Sequence, residues 1–104
     1  MNNTMGKSSA RKISIQETTV ATIDGWKVTV GNIIIDDWTG PDGSPRRGLT
    51  AEIGLYDERK AERGRLTLGE GGLLEIKGRP WRVTLVSAGA GGENGAVKLT
   101  ESLP

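Results

Sequence analysis

Apolar and polar residues alternate along much of this chain, with the period of two that is typical of a β-strand buried on one face. The alternation is clearest over residues 49–56, LTAEIGLY, and it recurs over 26–30, directly after an Asp24-Gly25 pair. Asp-Gly favours the two-residue turn of a hairpin, because both turn positions need a positive φ angle. These residues therefore predict a strand at 49–56 and a hairpin closed by Asp24-Gly25.

Further strands are predicted in the second half of the chain and at its start. Residues 65–87 read as a meander of three short strands, in which the glycine-containing segments 69–72 and 77–80 supply the two turns. The shorter segments 12–18 and 96–100 show the same alternation and are predicted as an edge strand and a last strand. We expect eight or nine short strands in all.

This number of strands, with at most one helical turn, predicts an all-β fold, either a small antiparallel β-barrel or a two-sheet β-sandwich. The composition agrees, since 16 of the 104 residues are glycine, which is costly inside helices and common in turns. The chain contains no phenylalanine, so the core must be mainly aliphatic. The predicted core residues are Val28, Val30, Ile53, Leu55, Val83 and Leu85.

The length of 104 residues predicts one folded domain, which we place at residues 12–104. Residues 1–11, MNNTMGKSSAR, are polar and show no periodicity, so they are predicted to form a flexible tail. No apolar run approaches the about 18 residues of a membrane span, and the start of the chain lacks the apolar segment of a signal peptide. A soluble, cytoplasmic protein without membrane contact is the expectation.

The residue types that are missing exclude several kinds of chemistry. The chain has no cysteine and no histidine, which removes disulfides, thiolate catalysis, most zinc sites and every histidine-based triad. No pair of carboxylates stands out for acid and base catalysis, and a domain of this size has little room for a substrate cleft. We therefore predict a non-enzymatic protein with no catalytic residues, no cofactor and no metal ligands.

An interaction or assembly role is the main functional prediction. Residues 36–48, DDWTGPDGSPRRG, show no strand pattern and are predicted as an exposed loop. The loop carries Trp38, Arg46 and Arg47, and tryptophan and arginine are enriched at interface hot spots. Trp38 could equally fold back onto the core as a lid. Segments 12–18 and 96–100 could offer strand edges to a protein partner or to a second copy.

Binding of a single-stranded nucleic acid or another polyanion is the alternative. The net charge is only +1, but nine of the fourteen basic residues lie between residues 46 and 82. Tyr56 and Trp81 lie among them, and Trp38 lies shortly before them. Small β-domains bind single strands by stacking bases on exposed aromatic side chains within a basic groove. Arg79 and Arg82 are the predicted contacts. Acidic residues lie between these basic residues in the sequence, which argues against a nucleic-acid site.

A small-ligand or metal-binding β-barrel is a minor alternative. Asp36, Asp37 and Asp42 bring three carboxylates into one segment, and carboxylate oxygens suit hard cations such as calcium. The spacing matches no EF-hand loop, and aspartate is also common in turns.

Overall fold

The computed structural model describes residues 10–90 and 94–102, which form eight β-strands and no helix. The strands are β1 (Lys12–Gln16), β2 (Val20–Ile23), β3 (Trp26–Thr39), β4 (Pro45–Tyr56), β5 (Glu62–Gly69), β6 (Leu73–Ile76), β7 (Arg79–Ser87) and β8 (Ala96–Glu101). They form two four-stranded antiparallel sheets packed against each other, so the predicted all-β fold class is confirmed. Most of the predicted N-terminal tail, residues 1–9, lies outside the described residues.

The strand order follows the chain almost completely. Sheet A has the order β1-β8-β7-β6, and sheet B has the order β2-β3-β4-β5. The chain changes sheets only between β1 and β2 and between β5 and β6, and no described strand pairs with the outer edges of these four strands. Strand β1 is an edge strand, as expected, but β8 lies between β1 and β7. The prediction that residues 96–100 offer a free edge is therefore wrong.

Two-residue turns with positive φ angles close two of the hairpins. Asp24 and Gly25 have φ angles of 52° and 86°, and Lys77 and Gly78 have φ angles of 52° and 78°. Positive φ at both positions is the requirement of a type I′ turn, whose twist matches that of the flanking strands. The Asp24-Gly25 hairpin is thus confirmed. The second turn is shorter than predicted, because β7 begins at Arg79.

The inward side chains of both sheets form one core that includes the completely buried Trp81. Five of the six predicted core residues are buried, whereas Leu85 is 37% exposed. A bulge in β7, between Val83 and Leu85, explains the error. It adds one residue to the strand, so Thr84 and Leu85 both lie on the outer side and Val86 becomes the next buried residue.

A cluster of ion pairs, here called the clasp, joins the two sheets at one end of the molecule. Glu101 of β8 is buried, and its Oε2 lies 2.9 Å from Arg11 Nη2 and 3.4 Å from Arg79 Nη1. Arg11 also binds Asp24 of the β2–β3 turn, with 2.8 Å between Nη1 and Oδ1, and its guanidinium lies over the Trp81 ring. The hydrogen bonds from Arg11 lower the pKa of Asp24 and of Glu101 and raise that of Arg11.

The predicted loop at residues 36–48 is mostly strand, which corrects the expectation. Strand β3 continues to Thr39, β4 already begins at Pro45, and only residues 40–44 form the turn between them. Cross-strand pairs run from Ile34↔Thr50 to Thr39↔Pro45. The loop prediction failed because Trp38 is the only apolar side chain among residues 36–48 that packs against the core, so the repeated apolar alternation that marks a strand is absent.

Candidate interaction site

The β3–β4 hairpin extends past the rest of sheet B as a two-stranded ribbon, residues 34–49, here called the arm. Strand β2 pairs with β3 only over Trp26–Thr29, and β5 pairs with β4 only from Thr50 onwards. Both outer edges of the arm are therefore free of other described strands. Ile34 and Ile35 lie at its base and are 52% and 65% exposed.

Trp38 attaches the arm to the body of the protein. Its indole ring packs on Gly69 at the end of β5 so closely that a Cβ atom added to Gly69 would lie 2.6 Å from the ring. The Arg46 guanidinium stacks on the same Trp38 ring, 5.4 Å from the ring centroid. Trp38 was considered as an interface residue or as a lid on the core. It is partly buried against the core and packs as a lid.

The charged side chains of the arm are paired with each other. Arg46 binds Asp42 at 3.3 Å, and Asp42 also accepts hydrogen bonds from the Ser44 side chain and backbone, which lower its pKa to about 2. Arg47 and Asp37 are both largely exposed and form an ion pair of 3.0 Å across the two strands. Of the predicted contacts on the arm, Arg46 thus stabilises the turn, and Arg47 is the one most available to a partner.

The other two predicted contacts lie elsewhere. Arg79 begins β7 and pairs with Glu101 in the clasp, whereas Val86, near the end of β7, lines a cleft shared with Trp38 and Arg46. Seven residues of strand separate Arg79 from Val86, or about 23 Å at about 3.3 Å per residue. The structure therefore brings Trp38, Arg46 and Arg47 together and keeps Arg79 apart from them. Arg82 lies on the outer face of sheet A, where it pairs in register with Thr100.

All four aromatic side chains are engaged within the protein. Trp81 is buried, and Trp38 is covered by Arg46. Trp26 donates a hydrogen bond from Nε1 to Glu58 and carries Arg63 over its ring, and the Tyr56 hydroxyl accepts a hydrogen bond from an Arg65 guanidinium. Three of the four rings are thus buried or carry an arginine, and Tyr56 is held through its hydroxyl.

An open groove of about 780 Å³ lies between the two sheets, on the side where β5 and β6 are not paired. Its lining is mainly apolar, and Leu73 in it is 44% exposed. The lining residues are Trp26, Leu55, Arg63, Gly64, Leu66, Leu73, Leu74, Glu75, Lys77, Gly78 and Pro80. Sequence reasoning missed this site because it forms between strands from different sheets. Leu73 pairs with the outward Arg82 in the register, so its side chain faces outward at the edge strand β6, and no single residue signals the groove.

The outer face of sheet A carries three basic side chains. Lys12, Thr100 and Arg82 lie side by side on β1, β8 and β7, and Lys98 is two residues from Thr100 along β8. None of these three bases forms an ion pair with a described residue. Adjacent strands are about 4.8 Å apart, so the backbones of Lys12 and Arg82 are separated by about 10 Å. Lys12 and Lys98 were not among the predicted contacts.

The three carboxylates considered for a metal are not assembled into a site. Asp37 is paired with Arg47 and Asp42 is held by Ser44, and the described residues contain no cluster of three potential metal ligands. Within residues 10–90 and 94–102, no helix is long and apolar enough to cross a membrane.

Comparison of the chain with protein-family models, with curated proteins and with solved structures found no match in any of the three.

Proposed function

We propose that this protein is a non-enzymatic assembly domain that binds another copy of itself through the arm. The observation that carries the proposal is the exposure of Ile34 and Ile35 on a ribbon whose two outer edges are unpaired. Free edges can add a strand from another chain, and exposed apolar side chains beside them supply the energy of association.

The energetics favour contact at this point. Burying one exposed isoleucine side chain is worth about 1.5 to 3 kcal/mol. Ile34 and Ile35 follow each other on β3 and therefore point to opposite faces, so each face of the arm offers one such side chain. The net charge of +1 leaves little repulsion between copies. Asp36 and Asp37 follow the isoleucines directly, and charges on an edge strand limit unspecific pairing.

Sedimentation velocity over a wide range of protein concentrations tests the proposal. We expect the wild-type protein to form oligomers and Ile35→Asp to weaken them by at least about tenfold, because a carboxylate would have to be buried. Val20→Asp is the matched control, since Val20 is 59% exposed on β2, away from the arm. A wild-type protein that stays monomeric at its highest soluble concentration, or an Ile35→Asp variant that assembles normally, would contradict self-assembly.

The outer face of sheet A favours a second function, binding of a polyanion such as nucleic acid. Lys12, Arg82 and Lys98 supply three basic side chains without ion-pair partners among the described residues. Such a face would contact phosphates and not bases, because the aromatic side chains are engaged elsewhere. Affinity would then fall steeply with added salt and depend little on sequence.

Fluorescence anisotropy with a labelled single-stranded oligonucleotide tests this second function. We expect the double variant Arg82→Glu, Lys98→Glu to abolish binding. The double variant Lys27→Glu, Arg59→Glu changes the net charge by the same amount at exposed positions outside sheet A. It should retain most of the oligonucleotide binding. Absence of binding by the wild-type protein at low salt would rule the function out.

A further inference from the structure

We infer that β1 exchanges between two copies of this chain, so that β1 of each copy pairs with β8 of the other copy. The contact lies away from the arm, so the inference goes beyond the proposed function and does not rest on it. It is carried by the place of β1 in the fold and by the backbone of the turn that joins β1 to β2.

Strand β1 belongs to one sheet, whereas the four strands that follow it along the chain belong to the other. It pairs with β8 at the edge of sheet A, and β2 to β5 form sheet B. Among the described residues, its only covalent connection to another strand is the short segment 17–19. A change in the backbone angles of these three residues is therefore enough to move β1 from its own copy to a second one, with all other strands left in place.

The turn between β1 and β2 holds Thr18 in a backbone conformation that threonine rarely adopts. Thr19 N donates a hydrogen bond of 3.1 Å to Gln16 O, which closes a four-residue turn, and Thr18, at its third position, has a φ angle of 68°. Positive φ at that position is normally supplied by glycine or asparagine, and for a β-branched residue it is strained. An extended connection returns Thr18 to negative φ. Exchange of β1 thus relieves one strained residue in each copy.

The hydrogen bonds of the turn, which exchange breaks, are donated by exposed residues. They run from Thr18 N to Val30 O at 2.8 Å and from the backbone and side chain of Thr19 to Gln16 O. Thr18 and Thr19 are exposed, so water can accept from their amides in the opened connection. The strain has no such substitute in the closed turn, and the balance therefore favours exchange when the protein is concentrated.

The other contacts of β1 can form between two copies as well as within one. Its backbone pairs with β8 over Lys12–Gln16, and Ile15 is buried in the core. Arg11, just before β1, binds Glu101 in the clasp. An exchanged β1 has the same sequence and enters the same site, so it restores each of these contacts in the second copy. The receptor is the edge of β8, which is open only while β1 is displaced.

A pair of cysteines across β1 and β8 tests the inference, since the chain has no cysteine of its own. Ser14 and Lys98 are paired in the register, and both are exposed. Glu101 N donates to Arg11 O at 2.8 Å, so Arg11↔Glu101 is a hydrogen-bonded pair of this ladder. Pair types alternate, which makes Ser14↔Lys98 a non-hydrogen-bonded pair with about 4.5 Å between Cα atoms, a separation that permits a disulfide.

We expect size-exclusion chromatography of the concentrated variant Ser14→Cys, Lys98→Cys to separate a monomer from a dimer. After oxidation, the dimer should run as two linked chains in denaturing electrophoresis without reductant, and the monomer should run as a single chain. Ser14→Cys alone is the control for disulfides formed by collision, and it should give few linked chains. A dimer that separates into single, internally oxidised chains would have kept β1 in its own copy and would overturn the inference, while leaving assembly through the arm intact.

Ile35→Asp, added to the two cysteines, separates this outcome from the proposed function, because it weakens the arm and leaves β1 unchanged. Linked dimers should persist in this triple variant. Their loss would mean that the copies meet only through the arm, and the inference would fail alone. A protein that forms no dimer with or without Ile35→Asp would contradict both exchange and the proposed function.

Thr18→Gly tests the strained turn as the cause of exchange, because glycine adopts positive φ freely. Measured by sedimentation equilibrium, it should lower the dimerisation constant of the Ile35→Asp protein at least about tenfold, since each dimer relieves two turns. Thr19→Gly is the matched control, because Thr19 is not among the residues with positive φ, and it should change the constant much less. Equal dimerisation of the two glycine variants would contradict exchange driven by Thr18.

Discussion

At the scale of single residues, Leu85 of β7 and Leu99 of β8 allow two leucines on neighbouring strands to be compared. Leu99 is completely buried, whereas the bulge in β7 leaves Leu85 37% exposed. We expect Leu99→Ala to lower the free energy of unfolding by about 2 to 5 kcal/mol, because it removes a buried side chain and leaves a cavity. Leu85→Ala should lower it by less than about 1 kcal/mol. Urea melts of both variants measure the difference, and equal losses would mean that Leu85 is a core residue after all.

Alternation predicts which residues are buried only while the period of two is unbroken. It placed Val28 and Val30 of β3 and Ile53 of β4 correctly, because these residues face one another across a regular part of sheet B. It failed at Leu85, since a bulge depends on the partner strand and leaves no mark in the alternation of β7 itself. The same limit applies to Trp38, whose contact, Gly69, is 31 positions away in the chain.

At the scale of elements, the close packing of Trp38 on Gly69 should fix the arm to the body. Gly69→Ala would place a Cβ atom 2.6 Å from the Trp38 ring, so the ring has to move and the arm should loosen. Gly48→Ala, on the arm itself, is the control, because an added Cβ at that position has no atom within 4 Å. Amide hydrogen exchange over residues 34–49 should be faster in Gly69→Ala and unchanged in Gly48→Ala.

Identical exchange in these two glycine variants would show that Trp38 does not hold the arm.

The turn within the arm could be predicted from the sequence, since Gly40-Pro41-Asp42-Gly43 consists of residues that favour turns. The two strands on either side of the turn could not, because a strand is usually recognised by repeated apolar residues on one face, and residues 36–48 contain only one such residue that packs against the core, Trp38. The contacts of the aromatic side chains with charged residues far along the chain could not be predicted either. The residues of the arm therefore predict an exposed binding loop.

At the scale of the whole molecule, order along the chain gives most of the sheet order, because five of the six described strand pairs join consecutive strands. The sixth joins the first and last strands, β1 and β8. Order along the chain does not show where the chain passes from one sheet to the other. The groove lies at one of these changes, between β5 and β6, and so could not be predicted from any single segment. Local patterns thus predict the strands, whereas the groove depends on how the two sheets are stacked.

The clasp connects the sheets through charge, so stability should depend on pH. The pKa of Glu101 is lowered mainly by its hydrogen bond with Arg11, which means that the ionised carboxylate stabilises the folded state above the ordinary value of 4.5. This contribution disappears as the pH falls through the lowered pKa of the folded protein. Glu101→Gln should therefore reduce the thermal midpoint by several degrees at neutral pH, and its difference from the wild type should narrow below pH 4.5.

Thermal melts at a series of pH values measure this narrowing, with Glu75→Gln as the control. Glu75 is exposed on β6 and forms no ion pair with a described residue, so its variant should melt in parallel with the wild type at every pH. Asp24 belongs to sheet B and Glu101 to sheet A, and Arg11 binds both. Loss of the Glu101 carboxylate should therefore lower a single transition shared by both sheets. A difference between Glu101→Gln and the wild type that stayed constant from neutral pH to pH 3 would mean that the clasp carries no net charge stabilisation.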